Sequence, residues 1–250
     1  MYSVTQRIRS IKQPYGGYVK VKQFEKLIIE DTAQLNEKEN IHASLIGLAV
    51  DYLTRFMMGT PVEEAFEISL LGSMRINELK QAKVFLSKIK GLDDTSIISA
   101  CKVVGYDVLF RAGIGYYPVE YIEPDMNTIQ NVRTMVNRCL SFWKEYGPVV
   151  LDGFTFEGGY TEIVSKGDGD YLTHDTLWDL KVSKEQPNSR YTLQLLMYYI
   201  MGQHSVHKEF ETIKRIGIFN PRLNTVYLLD ISDIKEEIIN EVSTEIIGYN

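Results

Sequence analysis

The sequence predicts a mixed α/β protein of the α+β kind, with a largely helical N-terminal part over residues 1–147 and a strand-rich core over 148–250. Apolar residues recur at three- and four-residue spacing between Asn40 and Gly147. After Pro148, β-branched and aromatic runs take over, punctuated by Gly-Gly and by Thr-His-Asp-Thr. A composition of 44% hydrophobic and 24% charged residues over 250 positions suits a chain that buries a sizeable core, and excludes disordered and collagen-like classes.

Residues 1–26 contain the turn signal "QPYGG" and the alternating run "YVKVKQF", which predict a loop or edge strands rather than a helix. A core helix is expected near 41–58, stopped at Gly59, with Pro61 opening the next. "INELKQAKVFLSKIKG" and, after an Asp93 cap, "SIISACKVVGYDVLFRAG" predict two more helices. Asp125 caps a long one closed at Gly147. A strand meander follows, then a helix over "SRYTLQLLMYYIMG", a hairpin around Pro221-Arg222, and a closing amphipathic helix capped by Ser232. There is no internal repeat and no low-complexity tract.

The chain carries 27 basic and 33 acidic side chains, a net charge of −6, so it has no global basic footprint for nucleic acid. The distribution is uneven. Residues 1–26 hold Arg7, Arg9, Lys12, Lys20, Lys22 and Lys26 against Glu25 alone, while 230–250 are acidic apart from Lys235. That front is either a localised polyanion track or a solvated surface segment. No stretch approaches the roughly 18 continuous apolar residues of a membrane span, and no signal-like apolar run follows the N-terminal charges, so a soluble, cytoplasmic protein with no membrane partner is expected. The two cysteines, Cys101 and Cys139, fall in separate predicted helices and fit unpaired thiols in a reducing compartment.

The stretch "GDGDYLTHDTLWDLK", Gly167 to Lys181, carries the chemistry. In a strand, residues two apart share a face, so Asp179 and Lys181 point together while Trp178, Leu180 and Val182 point away toward a core. A charged pair in so apolar a strand needs a reason, because buried charge is costly unless it is paired or binds metal. A turn at Thr173–Thr176 would bring Asp170 back beside Asp179. Two neighbouring carboxylates without a His or Cys cluster suit Mg²⁺ or Mn²⁺ rather than Zn²⁺. Such an ion lowers the pKa of bound water from about 15.7 toward neutrality and holds a phosphate oxygen. Lys181, with an ordinary pKa of about 10.4, orients water or neutralises phosphate; base duty would require a depressed pKa. An EF-hand is excluded, since Leu172 stands at a ligand position and Thr173 where its glycine belongs.

This arrangement resembles the PD-(D/E)XK nuclease superfamily, in its RecB-like branch. Gly167-Asp168-Gly169-Asp170 looks like the G-x-I-D element, with Gly169 where the family has an apolar side chain. Asp179-Leu180-Lys181 looks like D-x-K, and Gln194 to Tyr198 looks like the Q-x-x-x-Y helix. The resemblance implies a restriction-endonuclease-like mixed sheet flanked by helices, with Asp170 and Asp179 as metal ligands and the Leu180 carbonyl as a further one. It implies a catalytic Lys181, and Gln194 and Tyr198 positioning the substrate. The upstream G-x-x-x-H element is matched by Gly47 to Asp51, with Asp in place of His; Asp51 is either a third ligand or the i,i+4 partner of Arg55. Two cysteines exclude the four-cysteine iron-sulfur cluster of some branch members.

The expectation is therefore a metal-dependent nuclease acting on DNA. The alternative is a catalytically silent scaffold of the same fold that binds nucleic acid or a protein partner. His204 and His207 read as a surface pair rather than a zinc site, Trp143 and Trp178 as core, and "GIGYYPVEYIEP" as packing or loop structure before base stacking.

Overall fold

The computed structural model describes all 250 residues. It divides into two compact units, a sheet unit of Met1–Glu30 with Trp143–Asn250 and a helical unit of Asp31–Phe142. The expected boundary at 147/148 thus lies a few residues earlier, and residues 1–30 belong with the sheet rather than with the helices.

The N-terminal segment corrects the expectation of loop or edge strands only. A two-residue strand β1 (Tyr2–Ser3) leads into helix α1 (Val4–Ser10). Its cause is a capping box, in which Ser3 Oγ accepts from the Gln6 amide while the Gln6 side chain accepts from the Ser3 amide. Val4 and Ile8 are one α-helical turn apart and both enter the sheet unit's core. The alternating run Tyr18–Phe24 forms no strand but coil and a 3-10 turn over Val21–Gln23, and the edge strand β2 (Glu25–Ile28) follows it.

In the helical unit α2 (Ala43–Met57) is stopped at Gly59, whose φ of +110° only glycine adopts without strain. The segment after Pro61 forms two helices, α3 (Val62–Ala65) and α4 (Glu67–Met74), because the chain leaves helical geometry at Phe66 to bury that ring. Then follow α5 (Leu79–Leu86), α6 (Asp94–Val103) capped by Asp93, α7 (Asp107–Arg111) and α8 (Met126–Tyr146), whose residues from Trp143 belong to the sheet unit. Asp125 caps α8 as expected, accepting from the Thr128 amide at 2.8 Å. The unit is pinned by a buried polar knot. Asp107, 1% exposed, accepts from Tyr52 Oη at 2.6 Å and from Ser69 Oγ, with Arg111 Nε at 3.4 Å. Burial pushes the Asp107 carboxyl up against the pull of these three partners. Cys101 and Cys139 are both buried and unpaired as disulfides, and burial pushes the Cys101 thiol up to about 12.

The sheet unit continues with β3 (Val149–Thr155), β4 (Val164–Lys166), β5 (Asp168–Thr173), β6 (Thr176–Leu180), α9 (Ser189–Gln203), β7 (Arg215–Asn220) and β8 (Thr225–Asp230). The main sheet has six strands in the order β2-β8-β7-β6-β5-β3; β6 and β7 are parallel and every other neighbour is antiparallel. A parallel pair needs a crossover, and α9 supplies it. β1 pairs with β4 in a small separate sheet. On one face of the main sheet Leu172, Leu177, Ile216 and Ile218 pack under α9. On the other Trp178 lies against Trp143, with ring centroids 6.3 Å apart.

The closing segment differs from expectation. Ser232 sits in a 3-10 turn, and helix α10 (Glu236–Glu241) starts three residues beyond Ile231–Asp233, passing into a π-helical turn over Val242–Ile247. Burial of Ile234 in an extended conformation separates Ser232 from the helix. No helix of the chain is long and apolar enough to cross a membrane.

Candidate active site

The site is built by the β5–β6 hairpin and the helix that follows it. Only His174 and Asp175 lie between the two strands, and Trp178 Nε1 donates to Thr173 Oγ1 at 3.2 Å across the turn. The register pairs Tyr171 with Trp178 and Leu172 with Leu177, so its continuation sets Asp170 opposite Asp179 on the face beneath α9. Here the ladder ends. The Leu180 amide donates not to a β5 carbonyl but to Asp170 Oδ2, at 2.8 Å. One carboxylate is thereby tied to the backbone next to the other.

Asp179 is 2% exposed, so the face of β6 beneath α9 is covered at this position. Lys181 Nζ lies 2.9 Å from Asp179 Oδ1 and 2.8 Å from Oδ2, as the period of two requires of residues on one face. Burial alone would lower the Lys181 pKa, but the Asp179 and Asp170 carboxylates outweigh it and hold the ammonium above its ordinary value. Lys181 is a cation in this state, and the depressed pKa of a general base is not there.

Helix α9 roofs the cluster. Gln194 and Tyr198 stand one turn apart, and Gln194 Nε2 donates to Tyr198 Oη at 2.9 Å. Burial, then the Asp179 and Asp170 charges, push the phenol up against the Gln194 hydrogen bond. It stays protonated and, with its oxygen accepting from Gln194, keeps its own proton to donate. Tyr191, absent from the sequence-derived set, lies under Lys181, with Nζ 5.3 Å from the ring centroid. Its spacing of three and seven residues from Gln194 and Tyr198 puts it on the same helical stripe, a signal already present in the sequence.

Gly169 has a structural cause. It pairs with Phe154 of β3, and a Cβ built on it would stand 2.3 Å from Phe154 Cε2 and Cζ. The Phe154 ring lies over the glycine and fills the space an apolar side chain would take.

Asp51 belongs to the helical unit. It forms a two-point pair with Arg55, Nη2 to Oδ2 at 2.8 Å and Nε to Oδ1 at 3.2 Å, which is the i,i+4 pairing its spacing allowed. His204 stacks on Tyr249 at 3.9 Å and His207 Nε2 meets the Thr155 carbonyl at 2.9 Å.

The donor set around β5, β6 and α9 consists of carboxylate and phenol oxygens, with no imidazole or thiolate. Hard oxygen donors with one or two carboxylates, completed by water and substrate phosphate, are what Mg²⁺ and Mn²⁺ use, so the residues fit such an ion. Comparison with family models, with curated proteins and with solved structures finds no match to this chain.

Proposed function

We propose that the chain is a Mg²⁺- or Mn²⁺-dependent nuclease hydrolysing phosphodiester bonds, with DNA as substrate, and that its sheet unit is a restriction-endonuclease-like core of the PD-(D/E)XK, RecB-like kind. The observation that carries this reading is the convergence of Asp170, Asp179 and Lys181 at the point where β5 and β6 part, beneath Gln194 and Tyr198. The connection of parallel β6 and β7 through α9 supports the fold assignment.

Asp170 and Asp179 would hold the metal through their oxygens. When bound, the divalent cation supplies a lowered pKa for water and a positive charge toward the scissile phosphate. Lys181, as an ammonium beside these carboxylates, offsets the negative charge that builds on phosphorus oxygens in the transition state. Tyr198 remains a neutral donor to substrate or water, and Gln194 fixes its orientation. The reading needs only these residues and leaves Asp51 with Arg55.

The test is cleavage of labelled single-stranded, double-stranded and nicked circular DNA in Mg²⁺, Mn²⁺ or EDTA, beside Lys181→Ala and Asp179→Asn checked for folding by circular dichroism. Metal-dependent cutting by the parent chain, reduced at least a hundredfold in both variants, is the expected result. Metal binding with no cutting of any substrate refutes the enzyme and favours a silent scaffold that binds nucleic acid or a protein partner.

A further inference from the structure

The basic segment at the front of the chain has a defined place in the fold. Between α1 and β2, residues 11–20 form a strap over the first turn of α9. Val19 is buried and its carbonyl accepts from Thr192 Oγ1 at 2.6 Å. Gly17, at φ +91°, lies so close to α9 that a Cβ there would stand 2.6 Å from Ser189 Cβ. The Gly17 amide donates to the Pro14 carbonyl at 2.8 Å, closing a tight turn. Tyr15 stands at the tip of that turn and is 100% exposed.

A tyrosine held wholly in water on a braced turn buries nothing within the sheet unit. Its surroundings are cationic. The Lys20 stem runs beside Gly16, where a Cβ would be 3.6 Å from Lys20 Cγ, and Lys20, Lys12 and Arg190 are all exposed. The acidic C-terminal segment meets the strap at Tyr18, which hydrogen-bonds Glu241, and it holds Arg7 through the Glu245 and Ile246 carbonyls, both at 2.9 Å. The strap seats on Ser189 and Thr192 in the first turn of α9, the helix that also carries Tyr191 to Lys181.

We infer that this strap is a guide for single-stranded nucleic acid, in which Lys12, Lys20 and Arg190 bind phosphates and the Tyr15 ring stacks on an unpaired base, at the start of the helix that roofs the candidate site. Exposed aromatics flanked by cations fit single strands because only unpaired bases present a free π-face. The inference rests on the nuclease reading for its purpose, but its test does not.

Binding of fluorescein-labelled oligothymidylate, oligouridylate and a duplex is measured by anisotropy in EDTA across a salt series, with no turnover involved. Tyr15→Ala weakens binding of the single strands roughly 5- to 100-fold and Tyr15→Phe restores it, the range expected for one stacked base. The triple variant Lys12→Glu, Lys20→Glu, Arg190→Glu weakens binding about tenfold or more, and the slope of log K against log salt falls by roughly 2, at about 0.7 for each phosphate no longer neutralised. All four positions are exposed, so melting temperatures stay at the parent value. Parent-like binding by the Tyr15→Ala and triple variants overturns the guide and leaves the nuclease reading standing on cleavage. Strap-dependent binding without metal-dependent cleavage supports the guide and refutes the nuclease. Duplex bound more tightly than either single strand, or no binding by the parent chain, overturns the guide.

Discussion

Replacing Lys181 with Met keeps most of the side-chain volume and its packing on Tyr191 while removing the ammonium that sits 2.8 and 2.9 Å from the two Asp179 oxygens. Asp179, 2% exposed, then faces Asp170 with no cation between them. Breaking a buried pair by deleting one partner costs about 3–5 kcal/mol, because the survivor keeps its desolvation penalty. The Lys181 side chain is 21% exposed, which lowers the expected loss to about 2–3 kcal/mol. For a domain of this size that is a melting temperature lower by roughly 5–10 °C. Calorimetry in EDTA checks it. Lys181→Met with Asp179→Asn removes both charges and should recover most of the loss. Mg²⁺ should then stabilise Lys181→Met more than the parent, since the ion takes over the charge the lysine had offset, and Asp170→Asn on the Lys181→Met background should abolish the gain. A Lys181→Met protein as stable as the parent in EDTA refutes the account of the ion pair; equal response to Mg²⁺ in the parent, the Lys181→Met protein and the Asp170→Asn, Lys181→Met double variant refutes the account of the metal.

Gly169→Val places a strand-favouring residue on β5 but drives its side chain into the Phe154 ring, so it should cost about 1–3 kcal/mol in urea unfolding and be relieved by Phe154→Ala. A neutral Gly169→Val would show that Phe154 does not need the gap. Asp107 is held above the ordinary carboxylate range by burial, so the unfolded chain loses this proton at lower pH than the folded one. The stability associated with the protonated carboxyl is present below about pH 4 and is lost as pH rises through the folded pKa. Asp107→Asn should therefore gain on the parent as pH rises from about 4 to about 7 in denaturant melts; a difference that is flat or falls with pH contradicts the direction assigned.

The candidate site was legible where its geometry is local. Asp179 and Lys181 share a face because strands repeat every two residues, and Asp170 returns to them because two residues suffice to turn β5 into β6. Gln194 and Tyr198 follow from the helical repeat, and Tyr191 could have joined them on the same reasoning. The N-terminal helix was hidden by its shortness: seven residues give too little periodicity, and only the Ser3–Gln6 capping box announces it. The docking of residues 1–30 was out of reach for another reason. Glu25 pairs with Leu228 and Arg7 with the Ile246 carbonyl across some two hundred residues, and nothing in either segment's own pattern names its partner. Ser232 failed as a cap because Ile234, two residues on, goes to the core instead of a first helical turn.

The charge placement on β6 is what supports the proposed enzyme over a purely structural role. Along β6 and β5 the neighbours of this cluster are apolar, Leu177 and Leu172 on its own face and Trp178 on the other. A well-packed apolar pair in place of a buried ion pair is commonly neutral or stabilising by about 1–4 kcal/mol, so folding alone does not call for Asp179 and Lys181. Nor does it call for Asp170 to take the Leu180 amide at the point where a β5 carbonyl would have continued the ladder. Three ionisable side chains that stability does not require meet at the one place where the hairpin opens, under a helix stripe of Tyr191, Gln194 and Tyr198 that carries polar groups into the same spot. Asp179, 2% exposed, with Asp170 and Lys181 half-buried beside it, suits the small ion and the phosphate that the proposed nuclease would bind there.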